Sequence, residues 1–327
     1  MKAFVHEYGE LKIKDVDEPV ARDGEVVVSL KTAGLNRRDL YIPHRLGDDR
    51  PALILGSDGA GVVDSVGKGV THFSVGDEVI INPALHWDKK SVAPPEDFAI
   101  LGMPDDGTFA EKIAISAEQV EKKPAYLSWD EAGALALAAL TGYRALFTKG
   151  QVKKGETVFI PGAGSGVATY LVAFAKAYGA RVIATSRSKI KQEKVKQLGA
   201  DVVIDTNRDW TDALKEETVD LVIDSIGRAT FNRSLDILKK GGRFVVFGAT
   251  TDDNVDLNLR KFFYGQYQLI GSTMGSREEL REMLTFIQKQ RIHPIVDRTY
   301  TLEEAQTAFD DLENFQPFGK IVLRING

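Results

Sequence analysis

The sequence predicts an α/β protein of two domains, an antiparallel β-barrel or sandwich joined to a doubly wound parallel sheet of six strands. Three features predict it. Up to about Lys123, short β-type runs (EVVVSL, GAGVVDSV, DEVIIN, EKIAIS) are broken by glycine, proline and aspartate turns, with no long amphipathic pattern between them. After Pro124, apolar runs alternate with helical segments, which is the pattern of βαβ units. The length, 327 residues, exceeds what one small core organises.

The second half begins with LSWDEAGALALAALTGYRALF, a helical stretch opened by a capping box of Ser128 and Glu131. The runs TVFIP, RVIAT, DVVID, VDLVID, GRFVVFGA and QLIGS follow between helical segments and read as six strands buried on both faces. Further capping boxes, SREE at Ser276 and TLEE at Thr301, open two late helices before the strand GKIVLRI. That last strand returns to the first domain in this reading. Residues 1–123 and 293–327 then form one discontinuous domain around a dinucleotide-type domain at 124–292.

Composition narrows the function. Net charge is −5 and there is no long basic run with interleaved aromatics, which argues against nucleic acid and points to small-molecule partners. No run approaches a membrane span, and the opening MKAFVHEYGELKIKD has no apolar signal core, so the expectation is a cytoplasmic protein. There are no cysteines, which excludes disulfides, thiolate zinc sites, iron–sulfur clusters and cysteine nucleophiles.

The glycine cluster Gly162, Ala163, Gly164, Ser165, Gly166, Val167 lies directly after TVFIP and directly before the helix ATYLVAFAKAYG. Glycines there allow a tight turn and let the backbone approach a pyrophosphate, while the helix N-terminus offers N–H groups and partial positive charge. A strict GxGxxG is absent, because Val167 takes the third glycine place. About twenty residues on, where a dinucleotide fold places an acid on the adenosine ribose, TSRSKIK supplies Ser186, Arg187, Ser188, Lys189 and Lys191. A hydroxyl flanked by cations suits a 2′-phosphate and predicts NADPH. Two charge-assisted contacts of about 1.5 kcal/mol each give a preference over NADH on the order of 100-fold. The alternative is a solvated basic loop.

Taken with AGLNRRDLY, LGSDGAGVVDSVGKGVTHFSVGDEV, GTFAEKIAI, AALTGYRAL, VDLVIDSIG, GGRFVVFGAT and GKIVL, this order of parts resembles the medium-chain dehydrogenase/reductase superfamily, in particular its zinc-free quinone oxidoreductase-like branch. The resemblance covers nearly the whole chain. It implies a GroES-like β-barrel catalytic domain and a Rossmann domain. The places of the catalytic zinc ligands in family alcohol dehydrogenases fall on Asn36, Ser57 and Leu137, and the cysteine-rich lobe is replaced by HWDKKSVAPPEDFAILGMPDDG. His6, His44, His72, His86 and His293 are scattered, so no metal is expected.

The resemblance implies hydride transfer from NADPH to a quinone or to the β-carbon of an α,β-unsaturated carbonyl, with negative charge developing on the carbonyl oxygen. Asn36 and Tyr41 match an active-site Asn and Tyr of the branch; a turn residue and a core aromatic are the alternatives. Asp39, Asp58, His44, Arg45, His86 and Trp87 are weaker candidates. Thr141, Gly227, Gly248, Ala249, Thr250, Ser272, Thr273 and Met274 match cofactor-contacting positions, and Lys320 is a candidate for a cofactor phosphate. Homodimerisation through YQLIGSTMG is implied as well. Two other functions stay open: a crystallin-like NADPH-binding protein with little turnover, and a zinc-free NADP-dependent alcohol dehydrogenase.

Overall fold

The structure, a computed structural model, describes residues 1–47, 51–314 and 317–326. It divides into two compact units, Met1–Leu140 with Gly275–Gly327, and Thr141–Met274.

In the first unit the long strand Glu25–Gly34 is the hub, pairing antiparallel with Ala60–Val66, Lys112–Ser116 and Lys320–Arg324. Its alternate residues Val26, Val28 and Leu30 pack with Val63, Val79, Ile81, Ile113 and Ile115, the period of two that a half-buried strand requires. The returning strand Lys320–Arg324 sits in this sheet, as its sequence suggests. One pairing departs from the antiparallel expectation: Val296–Thr301 runs parallel to Lys320–Arg324. The helix Ala305–Asn314 between them makes the crossover that parallel strands need. Its buried face, Ala305, Ala308, Phe309 and Leu312, closes a second core with Phe4, Leu35, Leu55, Phe109, Ile321 and Leu323.

All three capping boxes form. At the first, Ser128 Oγ accepts from Glu131 N at 3.3 Å and Glu131 Oε2 accepts from Ser128 N at 2.7 Å. The helical stretch that follows is not continuous. It runs as Trp129–Gly133, Ala136–Tyr143 and a wider-wound Arg144–Lys149. The break has a cause: Leu137 N donates to the Asp58 carboxylate at 2.6 Å, so a carboxylate caps the second segment where a backbone carbonyl continues an unbroken helix. In the lobe 86–107, Trp87 is buried edge-on against Phe98, with ring centroids 5.1 Å apart, and its Nε1 donates to Ser91 Oγ at 2.9 Å.

The second unit is a six-stranded parallel sheet: β1 (Thr157–Ile160), β2 (Arg181–Ser186), β3 (Val202–Asp205), β4 (Val219–Asp224), β5 (Leu238–Val246) and β6 (Gln268–Gly271). Their spatial order is β3-β2-β1-β4-β5-β6. The order reverses between β1 and β4, and in open α/β sheets ligands bind at the strand carboxyl ends beside such a switch point. Val158, Phe159, Ile160, Val182, Ile183, Leu221, Val222, Phe244 and Val245 are buried, as strands covered on both faces must be. Among the described residues, no helix is long and apolar enough to cross a membrane.

Candidate functional site

The candidate functional residues fall into two groups, one in each unit. At the carboxyl end of β1, Gly162 takes φ 66, a left-handed conformation that glycine adopts without strain. A Cβ there would also meet Ile226 Cδ1 at 2.6 Å. Thr185 clips this loop to β2: its Oγ1 accepts from Gly162 N at 3.1 Å and its carbonyl from Ala163 N at 2.8 Å. Ser165 caps the helix Gly166–Tyr178 by accepting from Ala168 N at 3.4 Å. The first-turn N–H groups of such a helix have no intrahelical acceptor and favour an anion. Val167, at the third glycine place, packs beside Gly142, where a Cβ would stand 3.6 Å from Val167 Cγ1, an ordinary contact.

At the end of β2 the buried Ser186 accepts at Oγ from Ser188 N (3.4 Å), while its carbonyl accepts from Gln192 Nε2 (2.8 Å) and Thr206 N (3.2 Å). Ser188 caps the helix Lys189–Gln197 through Lys191 N. Ser186, Arg187 and Lys191 are thus held on one pinned turn, with Arg187 exposed and Lys191 half-buried. The nearest acid along the sheet edge, Asp205, pairs with Ser186 in register and accepts from Asn207 N at 2.8 Å.

Beyond the switch point, Gly227 has φ 88, and a Cβ there would come within 2.7 Å of Asp252 O and 3.1 Å of Ala249 Cα. Glycine therefore lets the turn after β4 touch the 248–252 loop, where Thr250 N donates to Ser225 O at 3.2 Å. Asp224, which sequence reasoning missed, organises this turn. Its Oδ1 accepts from Ile226 N (2.5 Å) and its Oδ2 from Thr230 Oγ1 (2.6 Å), and burial pushes its carboxyl above the ordinary value. After β6, Ser272 N donates to Val246 O at 2.9 Å, and Ser272 Oγ is buried with no hydrogen-bond partner among the described residues. Thr273 is exposed, and Met274 is buried at φ 31. Thr141 is buried on its helix. A glycine cradle, a helix N-terminus and an orphaned buried hydroxyl at strand ends of one sheet fit a dinucleotide.

In the first unit a polar cluster is buried where the resemblance places the zinc ligands. Asn36, two residues beyond the hub strand, opens the 3-10 turn Arg37–Tyr41, with Asp39 Oδ2 accepting from Asn36 N at 2.7 Å. Asn36 Nδ2 donates to Asp58 Oδ2 (3.0 Å) and Gly34 O (3.4 Å), and its Oδ1 accepts from Lys320 Nζ at 2.5 Å. Both amide hydrogens are therefore spent inside the protein, and none is left to donate to a substrate oxygen. Lys320 belongs here as well. It is 4% exposed, and its ammonium also donates to Leu35 O (2.6 Å) and Asp58 Oδ2 (3.3 Å). Three protons meet three acceptors, which leaves none for a cofactor phosphate. Tyr41, 45% exposed, is not a core aromatic, and its hydroxyl makes no hydrogen bond to the described residues.

Beside this cluster Arg38 Nη1 donates to Ser57 Oγ (2.6 Å) and Leu101 O (2.9 Å). Two of the three would-be zinc positions are thus each held by a cation, Asn36 by Lys320 and Ser57 by Arg38, and the third is the aliphatic Leu137. An amide, an alcohol and an alkyl group against two positive charges do not fit a zinc ion. Among the described residues, no three His, Cys, Asp or Glu side chains gather at a possible metal site.

A sheet with this switch point, a phosphate-type loop and a barrel carrying the polar cluster define a two-domain nicotinamide-type oxidoreductase. The sequence matches the families described as "Alcohol dehydrogenase GroES-like domain" over residues 22–125 and "Zinc-binding dehydrogenase" over residues 166–289. The chain belongs to the medium-chain dehydrogenase/reductase superfamily. It is 32% identical to an alcohol dehydrogenase of Geobacillus stearothermophilus, covering 100% of both chains. It is 30% identical to an acryloyl-coenzyme A reductase of Metallosphaera sedula, covering 99% of both. Similar solved structures include an NAD-dependent alcohol dehydrogenase (TM-score 0.91, 34% identity, 100% of both chains). Another is the crotonyl-CoA carboxylase/reductase AntE in complex with NADP (TM-score 0.88, 25% identity, 99% of this chain and 94% of that one).

The cluster also makes a pH prediction. Burial raises the Asp39 carboxyl from 3.8 to about 6, against the opposing charges of Arg38 and Lys320 and the Asn36 N–H bond. Between those two values the folded protein holds a proton that the unfolded chain has released, so this residue lowers stability as pH rises through that window and by a constant amount above it. Asp39→Asn is expected to flatten urea-derived stability between about pH 4 and pH 6, by about 2–3 kcal/mol end to end. Parallel profiles for the two proteins would refute it.

Proposed function

We propose that this protein is an NADPH-dependent, zinc-independent oxidoreductase that delivers a hydride to the C=C bond of an α,β-unsaturated carbonyl or to a quinone. The observation that carries the reading is the carboxyl end of β2, where a pinned turn bears Ser186, Arg187 and Lys191 in place of a ribose-binding acid. The chemistry of the zinc positions supports metal independence, since both polar positions bind cationic side chains. Crotonyl-CoA and acryloyl-CoA, named for two similar proteins, are α,β-unsaturated thioesters, which favours the alkene arm.

NADPH, when bound, supplies the hydride. With a hydride so supplied, negative charge would collect on the acceptor's carbonyl oxygen, where this chain's donors would hold it until a proton reaches the α-carbon. Gly162 to Val167 would receive the pyrophosphate, and Ser186, Arg187 and Lys191 the 2′-phosphate. Thr141, Gly227, Gly248 to Thr250 and Ser272 to Met274 would border the nicotinamide ribose and ring. The Tyr41 hydroxyl, an exposed donor, would donate to the carbonyl oxygen. Asn36 is then a positioning residue that fixes the turn carrying Tyr41.

A panel assay following NADPH loss against enones, enals, enoyl thioesters, quinones and aldehydes tests this. Enones or quinones should turn over, and prior treatment with a chelator should leave the rate unchanged. Alcohol-driven NADP reduction exceeding enone and quinone reduction would favour the alcohol dehydrogenase reading instead, and tight NADPH binding with no turnover a crystallin-like role. The sheet edge at β6 exposes Leu269, and the preceding helix Leu259–Gly265 exposes Leu259, Phe263 and Tyr264; this apolar edge supports a homodimer, which light scattering would reveal.

A further inference from the structure

Arg38 differs from the other buried cations of its unit. Lys320 is saturated by three acceptors, and Arg277 is paired with Glu118 and Glu121. Arg38 is partly buried, and that burial lowers its pKa, yet it has no ion pair among the described residues. Its Nη1 is fixed by Ser57 Oγ and Leu101 O, and those are neutral oxygens. Nε and Nη2 have no described acceptor. Its neighbour Asp39 does not neutralise it by contact: Asp39 Oδ2 is committed to Asn36 N, and Oδ1 is buried without a partner. A partly buried guanidinium with unused donors and no ion-pair partner, on which the Asp39 and Asp58 carboxylates act only at a distance, is a favourable place for an anion to bind.

A second observation says where that partner sits. Arg38 and Tyr41 are three residues apart in the 3-10 turn Arg37–Tyr41, and in a 3-10 helix side chains at i and i+3 eclipse. The two side chains therefore leave the turn on one face, one ending in a charge held in place, the other in an exposed phenol.

Resting on the reductase reading, we propose that Arg38 is a catalytic residue that donates, together with Tyr41, to the carbonyl oxygen of the acceptor and supplies the positive charge on which its enolate or quinol oxyanion forms. No metal is required for that role, because a fixed cation in a water-poor site stabilises developing negative charge directly.

The test measures kcat and KM for the best acceptor of the panel, and NADPH affinity by calorimetry, in wild type, Arg38→Lys, Arg38→Met and Arg38→Ala. Arg38→Met should lower kcat about 100-fold with NADPH Kd unchanged within twofold, Arg38→Lys should lose less, and millimolar guanidinium should restore Arg38→Ala tenfold or more. Binding of 4-nitrophenolate, an oxyanion conjugated to an acceptor group, should weaken at least tenfold in Arg38→Met, a readout that needs no turnover. A kcat loss under threefold, or a loss that guanidinium does not restore together with unchanged 4-nitrophenolate binding, overturns the proposal. Wild-type protein that turns over no acceptor but shows the 4-nitrophenolate difference sinks the reductase reading while leaving the oxyanion site standing.

Discussion

Lys320→Met is expected to cost about 3–5 kcal/mol of folding stability, the effect of removing one partner from a buried ion pair. Asp58 has no exposed surface, and its carboxylate is shared by Leu137 N, Asn36 Nδ2 and the Lys320 ammonium. Removing the ammonium leaves that negative charge with two N–H groups and no cation, and leaves Leu35 O and Asn36 Oδ1 without their donor. The double variant Lys320→Met/Asp58→Asn removes both charges together, so it should be more stable than the sum of the single losses predicts, with a coupling of about 1–3 kcal/mol. Urea unfolding of the four proteins measures the cycle. A single-variant loss below about 1 kcal/mol, or strict additivity, would show that the cluster does not hold the first unit together.

That cluster also marks the boundary of what is legible in the sequence. Capping boxes at Ser128, Ser276 and Thr301 are readable because both partners lie three residues apart. The six strands of the second unit are readable because burial on both faces leaves continuous apolar runs such as Val158 to Ile160. The turn after β1 is readable for the same local reason, but its clip is not, since Thr185 lies 23 residues from Gly162. The helix break before Ala136 depends on Asp58, 79 positions from Leu137, and no helical pattern within the stretch reveals it. Lys320 reads wrongly as a phosphate ligand because a lysine opening a strand carries no local sign of its acceptors, which lie 262 to 285 positions earlier. Asn36 shows the same thing from the other side: its type fits a donor to substrate, and only the three-dimensional arrangement reveals that Asp58 and Gly34 take both hydrogens. Arg38 yields to Asn36 and Tyr41 in the sequence because nothing in NRRDLY distinguishes a paired arginine from an unpaired one.

The coenzyme preference is the other large effect, and it is decided within one turn. Ser186→Asp/Arg187→Ala is expected to reduce the NADPH over NADH ratio of kcat/KM at least 100-fold, enough to abolish or invert the wild-type preference. Two effects add. Removing the Arg187 guanidinium deletes a charge-assisted contact to the 2′-phosphate, about 1.5 kcal/mol or more. Replacing the Ser186 hydroxyl by a carboxylate repels that phosphate yet offers an acceptor to a ribose 2′-hydroxyl, so the same change that weakens NADPH strengthens NADH. The turn is built to tolerate the exchange. Its conformation is held by Gln192 Nε2 and Thr206 N on the Ser186 carbonyl and by the Ser188 cap on Lys191 N, which neither substitution removes. The bond from Ser188 N to Ser186 Oγ is lost, and a carboxylate oxygen at that position can accept in its place. Superfamily members with NAD in one name and NADP in another make the outcome informative in both directions. A wild-type ratio below about threefold, or a double variant that keeps the wild-type ratio, would mean that Arg187 and Lys191 are solvated surface cations and that the acid is absent from the end of β2 for some other reason.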